Sequence, residues 1–187
     1  MNERRCFSNV TDNYLCRFYE ILDNMIEEMT GAKLTDSLSH NFIVQMIPHH
    51  MAAIEMSRNI LRYTTCLPLQ DIAQGIITEQ TKSIENMRAI LPQCSCLVNS
   101  QQDVCMYQSR FGQISCTMFA GMRDTCADND INADFMREMI PHHKGAIQMS
   151  ENLLQYDICC GLVPILDAII VSQRRGVREM EGLLRGM

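Results

Sequence analysis

Two histidine pairs dominate the chemistry available to this sequence of 187 residues. His49-His50 and His142-His143 each close the pentapeptide Met-Ile-Pro-His-His, at residues 46–50 and 139–143. A buried imidazole must find hydrogen-bond partners, so a duplicated pair at helical positions points to function more than to filling. Phe42, Met46, His49, Ala53 and Met56 follow a 4-3-4-3 spacing and share one stripe of a helix. Met139, His142 and Met149 repeat it. His50 and His143 sit about 100° further round, toward the side of the bundle or a neighbouring helix. Thioether and imidazole together suit a soft ion such as Cu(I), whereas carboxylates suit harder ions. Di-iron bundles place Glu three residues before His, where this chain has Met46 and Met139, so iron oxidation is disfavoured. Methionine at helical spacing is also the ordinary filler of irregular core gaps, and 15 methionines fit that use too. The residues alone leave both roles open.

The elements that hold these residues are written twice. A gapless shift of 93 positions aligns Tyr14 with Tyr107, Met25 with Met118, Met46 with Met139, Asn59 with Asn152, Gln80 with Gln173 and Met87 with Met180. Periodicity predicts helices near 12–30, 38–63 and 69–91, with counterparts near 105–123, 131–156 and 162–185. Thr35-Asp36-Ser37 and Asp128-Asn129-Asp130 are start signals, and residues 92–96 read as a break. Pro48 and Pro141 fall inside helical patterns, where each either kinks its helix or begins a new one. The third helix of each repeat carries Gln80 and Met87, or Gln173 and Met180, on the face expected to meet the histidine stripe. Short turns make the second and third helices antiparallel hairpins. Two hairpins close an all-α, four-helix bundle with pseudo-twofold symmetry, flanked by the two first helices. The expected organisation is one bundle domain over 1–187, from repeat 1 (1–93) and repeat 2 (94–187).

Composition narrows the partners. A net charge of −6 with scattered Lys and Arg offers no basic face for nucleic acid. No apolar run approaches the roughly 20 residues that span a bilayer. The start, MNERRCFSNV, has no secretory hydrophobic segment. The expected location is cytoplasmic, or outside after release without a signal, as in a spore or cell-surface layer. No Ser-His-Asp set, phosphate-cradling Gly loop or paired catalytic carboxylates stand out, so the chain is not expected to be an enzyme.

Ten cysteines need a separate account. Only Cys66 and Cys159 keep the repeat register; Cys6, Cys16, Cys94, Cys96, Cys105, Cys116, Cys126 and Cys160 do not. Cys94-x-Cys96 and the vicinal Cys159-Cys160 could hold soft metal as thiolates, without the paired Cys-x-x-Cys of a zinc site. In a reducing compartment the thiols stay free; in an oxidising one an even count permits bridges within or between subunits. The second case suggests a homo-oligomeric coat or filament cross-linked by disulfides, an alternative to metal binding.

The pattern Phe-x-x-x-Met-Ile-Pro-His-His-x-x-Ala-Ile-x-Met-Ser, followed by Ile-Ile-x-x-Gln and Met, resembles the family catalogued as domain of unknown function 305. Both copies match. The resemblance implies a ferritin-like four-helix bundle and, from members associated with copper binding and resistance outside the cytoplasm, a copper site. Carried over by position, that site falls on Met46, His49, His50 and Met56, and on Met139, His142, His143 and Met149.

Overall fold

The computed structural model describes residues 7–187, and the described residues form six α-helices and no strand: α1 Asn9–Thr30, α2 Leu38–Leu61, α3 Leu67–Cys94, α4 Gln101–Arg123, α5 Ile131–Leu153 and α6 Val163–Arg185. Side chains start most of them. Ser8, Ser37 and Ser100 each accept a hydrogen bond from a first-turn amide, at 3.1, 3.3 and 3.1 Å, and Asp130 accepts from Asn132 and Ala133. Pro68 and Pro164 sit in the first turns of α3 and α6, where no amide hydrogen is needed. The serine caps explain why α1 and α4 begin a turn earlier than apolar periodicity alone indicates. At its far end α3 passes through Pro92 to Cys94, correcting the expected break, because a proline in a last turn removes only one hydrogen bond. Likewise α2 and α5 run unbroken through Pro48 and Pro141 rather than starting anew there.

The helices stack in three layers. The hairpin mates α2–α3 and α5–α6 pack side by side, α2 contacts α5 and α3 contacts α6, which closes the four-helix bundle. The flanking α1 covers α2 and α4 covers α5, and an Arg123–Asp23 ion pair joins the two flanking helices. The α2/α5 layer therefore lies in the middle, covered on both sides. This is why α2 is apolar almost all round and buries His49 and His50, together with Asn41, Gln45 and Asn59. No described helix is long and apolar enough to cross a membrane.

Pseudo-symmetry extends to polar detail. Asn59 donates to the Tyr14 carbonyl at 3.0 Å and Asn152 to the Tyr107 carbonyl at 3.3 Å, pinning each flanking helix to its middle helix. Tyr14 meets Tyr63 edge-on, as Tyr107 meets Tyr156. The symmetry then breaks across the repeats. Tyr14 donates its hydroxyl to Glu138 on α5 at 2.5 Å, whereas the Tyr107 hydroxyl is buried without a partner and faces a repeat that has Gln45 in place of Glu138. Burial holds the Glu138 carboxyl well above its usual range. Tyr14→Phe is expected to cost about 1–3 kcal/mol, because the buried acid loses its partner, while Tyr107→Phe is neutral or stabilising. Urea unfolding of the two variants checks this; equal costs would contradict it.

Candidate metal centre

At the crossing of α2 and α5 the two repeats place one histidine each against the other. The rings of His49 and His142 stack with centroids 3.7 Å apart and planes inclined by 27°. His142 Nε2 donates to the His49 carbonyl oxygen at 3.2 Å. A carbonyl only accepts, so this neutral ring carries its proton on Nε2 and its lone pair on Nδ1. His49 Nε2 lies 3.3 Å from the Met118 sulfur on α4, again as the donor, because a thioether has no proton to give. Both Nδ1 atoms are consequently buried lone pairs, and neither has a hydrogen-bond partner. Moving the His49 proton from Nε2 to Nδ1 turns the Met118 contact into a nitrogen–sulfur donor pair.

Met118 reaches the centre because α4 lies unusually close to α5. At Gly145 a Cβ would stand 2.9 Å from Met118 Cγ and closer still to its sulfur; at Gly121 a Cβ would stand 3.1 Å from Pro141 Cβ. The first repeat has Ala52 and Glu28 at these positions. Gly145→Ala is expected to push the Met118 thioether off His49 and to cost about 1–3 kcal/mol through overpacking. A crystal structure with the Met118–His49 contact intact would refute this.

The outer pair points the other way, toward the α3/α6 layer and not the flanking helices. His50 Nε2 bonds the Ser83 hydroxyl at 3.1 Å. Its counterpart His143 meets Gly176 instead, where a Cβ would lie 2.9 Å from His143 Nε2, and this ring edge lines a surface cavity of about 240 Å³. Gln80 and Gln173 also line it and are buried with unpartnered amide atoms, both of Gln80's and the oxygen of Gln173. The ion pair between Arg175 and Glu79 stands at the same wall. Gln80 and Gln173 recur, now with His50, in an adjoining cavity between α3 and α6, so the two outer histidines line adjoining cavities of one seam.

Burial lowers all four imidazoles. His49 and His142 fall well below the usual 6.5, first by desolvation and then by neighbouring imidazoles. For the same reasons His50 falls to about 3; desolvation takes His143 to about 4, opposed by the Met139 carbonyl. All four are neutral near pH 7, the state a metal ligand requires.

Of the sequence-derived candidates, the structure joins His49 with His142 and places His50 and His143 alongside, with ring centroids 5.8 and 5.9 Å from their chain neighbours. Met46 and Met139 are fully buried one turn from these rings. Met56 and Met149 are buried too, but two turns away, roughly 10 Å along the axis. Met87 and Met180 belong to the core. Sequence reading missed Met118, Ser83 and Gly176 as parts of the site. The available signal was the repeat register, in which Ser83 aligns with Gly176 and Ala52 with Gly145. All nine cysteines among the described residues are free thiols, and Cys6 lies outside the described residues. Among the described residues no group of three or more His, Cys, Asp or Glu is poised to hold a metal, so any ion at the histidines needs thioether donors.

The family model for "Domain of unknown function (DUF305)" matches residues 21–91 and 39–184. The chain belongs to the DUF305 family. Solved structures share its helical fold. One is CopM in an Ag-bound form, 24% identical, with TM-score 0.60 over 81% of this chain and 98% of that one. Another is a DUF305 fragment from Deinococcus radiodurans, also 24% identical, with TM-score 0.59 over 80% and 96%. CopM in a Cu(II)-bound form is 25% identical, with TM-score 0.59 over 79% and 96%. No curated protein matches the chain.

Proposed function

We propose that this DUF305 protein is a non-enzymatic carrier of a soft monovalent ion, Cu(I) first, bound by imidazole and thioether at the α2/α5 crossing. The observation that carries the reading is the stacked, neutral, fully buried His49/His142 pair with a methionine sulfur 3.3 Å from one ring nitrogen. An unpartnered lone pair on each ring is costly in a core unless it has a ligand to accept. Thioether and imidazole select a soft ion, and no carboxylate of the described residues joins them. Met118, Met46 and Met139 are the thioethers within one turn or one contact. The seam between α3 and α6, lined by Gln80, Gln173, His50 and His143, gives the ion its passage from the surface. The Ag- and Cu(II)-bound forms of the similarly folded CopM support this reading.

Titration of reduced protein with Cu(I) or Ag(I) tests it. His49→Ala/His142→Ala should lose the ion bound at this centre, and unchanged stoichiometry would reject the centre.

Six exposed cysteines, Cys16, Cys96, Cys105, Cys116, Cys126 and Cys160, favour one further reading, a homo-oligomer cross-linked by disulfides. Under oxidising conditions it should run as large species that collapse on reduction; a monomer there would discard it.

A further inference from the structure

One end of the bundle ties together three connections that are distant in sequence. Asn99 links them: its side chain accepts from the Leu38 amide at 2.9 Å and donates to the Asp157 carbonyl at 2.7 Å, and its amide donates to the Asp36 carbonyl at 2.9 Å. In the same knot the Ser37 hydroxyl donates to the Cys94 carbonyl at 2.9 Å, and the Cys159 amide donates to the Ser39 hydroxyl at 3.0 Å. The last residue of α3 and the turn between α5 and α6 are thus both fastened to the first turn of α2. The result brings the Cys94 and Cys159 thiols within hydrogen-bonding reach of each other, with Cys160 close by. Cys94 is fully buried and Cys159 is 8% exposed, whereas Cys160 is open to solvent.

We propose that Cys94 and Cys159 form a second soft-metal site, holding one Cu(I) or Ag(I) between two thiolates, with the exposed Cys160 as the thiol that first meets the ion. This site uses none of the residues of the imidazole–thioether centre and stands or falls separately from it. Thiolate sulfur selects soft ions. Zinc and iron–sulfur sites take three or four protein donors and are excluded by the absence, among the described residues, of any poised group of three. Monovalent d10 ions are satisfied by two thiolates in a line. Binding is an exchange without redox change: one Cu(I) and two thiols give one dithiolate complex with a single negative charge and two released protons. The start of α2, to which both cysteine backbones are fastened, supplies the positive end of a helix dipole beside that charge. In the free protein, burial and the neighbouring thiols push Cys94 up to about 12, so this thiol stays protonated and unreactive until a thiophilic ion displaces its proton. Two protons leave per ion, so apparent affinity should rise about 100-fold per pH unit below the thiol range.

Cu(I) delivered as its bicinchoninate complex to the reduced, oxygen-free full chain tests the site. Expected is an ultraviolet thiolate-to-Cu(I) charge-transfer band that persists in His49→Ala/His142→Ala, is lost with one equivalent of copper in Cys94→Ser/Cys159→Ser, and is unchanged in Cys105→Ser/Cys116→Ser. A band intact in the histidine variant supports this site whether or not that variant loses ions, and so whether or not the other centre holds. Should the buried serine substitutions unfold the chain, X-ray absorption of loaded His49→Ala/His142→Ala/Cys105→Ser/Cys116→Ser decides: two sulfur neighbours support the site, and nitrogen or oxygen neighbours overturn it. A band unaffected by Cys94→Ser/Cys159→Ser in folded protein overturns it. Formation of a Cys94–Cys159 disulfide with oxidised glutathione, with no charge-transfer band in the reduced protein, also overturns it and identifies a redox pair instead.

Discussion

Acidification from pH 7 to pH 5 is expected to remove several kcal/mol of stability from the metal-free protein. In the unfolded chain each histidine titrates near 6.5; folded, His50 titrates near 3, His143 near 4, and His49 and His142 well below 6.5. Below pH 6.5 the unfolded state therefore takes up protons that the folded state refuses. Stability is complete above that pH and falls until the folded values are reached. At pH 5 His50 and His143 each contribute a loss of about 2 kcal/mol, and His49 and His142 add to it in the same direction, against typical totals of 5–15. Glu138 and Asp134 oppose this: desolvation raises Glu138 well above its usual range and Asp134 to about 6, so the folded state gains protons there as the pH drops. Two acids offset only part of the loss from four imidazoles. Urea unfolding at the two pH values measures the difference; equal midpoints would show that the rings are not held neutral.

Ag(I) at a free concentration 1,000 times its dissociation constant is expected to stabilise the wild type by about 4 kcal/mol, because the ion binds only the assembled centre. For a chain of this size that is a rise of roughly 8–16 °C in the unfolding midpoint. His49→Leu/His142→Leu should show no contribution from this centre. The same variant, without ion, should be at least as stable as the wild type at pH 5, since two rings that resist protonation and two unpartnered lone pairs are gone. This pair of results separates a ligand role from a packing role. If the leucine variant is strongly destabilised at pH 5 and the wild type gains nothing from Ag(I), the histidines serve the core alone.

Much of the architecture was legible without coordinates because it rests on local rules. Ser37 and Asp130 stand where the caps of α2 and α5 are found, and the 4-3-4-3 stripe through Met46 and His49 lies inward, as its period requires. The proline reading failed at Pro92, where a terminal position makes the missing bond inexpensive. The orientation of His50 and His143 was legible only as an angle. Whether that angle faced a flanking helix or the third helices depended on the stacking order of the three layers, which no single helix encodes.

The sequence by itself determined the duplication, six helices, paired buried histidines with methionine one turn away, and the absence of the glutamate an iron centre would use. These follow from residue spacing within a helix, where neighbours three and four apart meet whatever the rest of the chain does. Only the tertiary structure decided that His49 stacks on His142, that the Met118 sulfur lies against His49, and that His143 faces a cavity while His50 is bonded to Ser83. The physical reason is that contacts between helices depend on how closely their backbones approach. At Gly145 and Gly176 a missing Cβ sets that approach in one repeat and not in its copy.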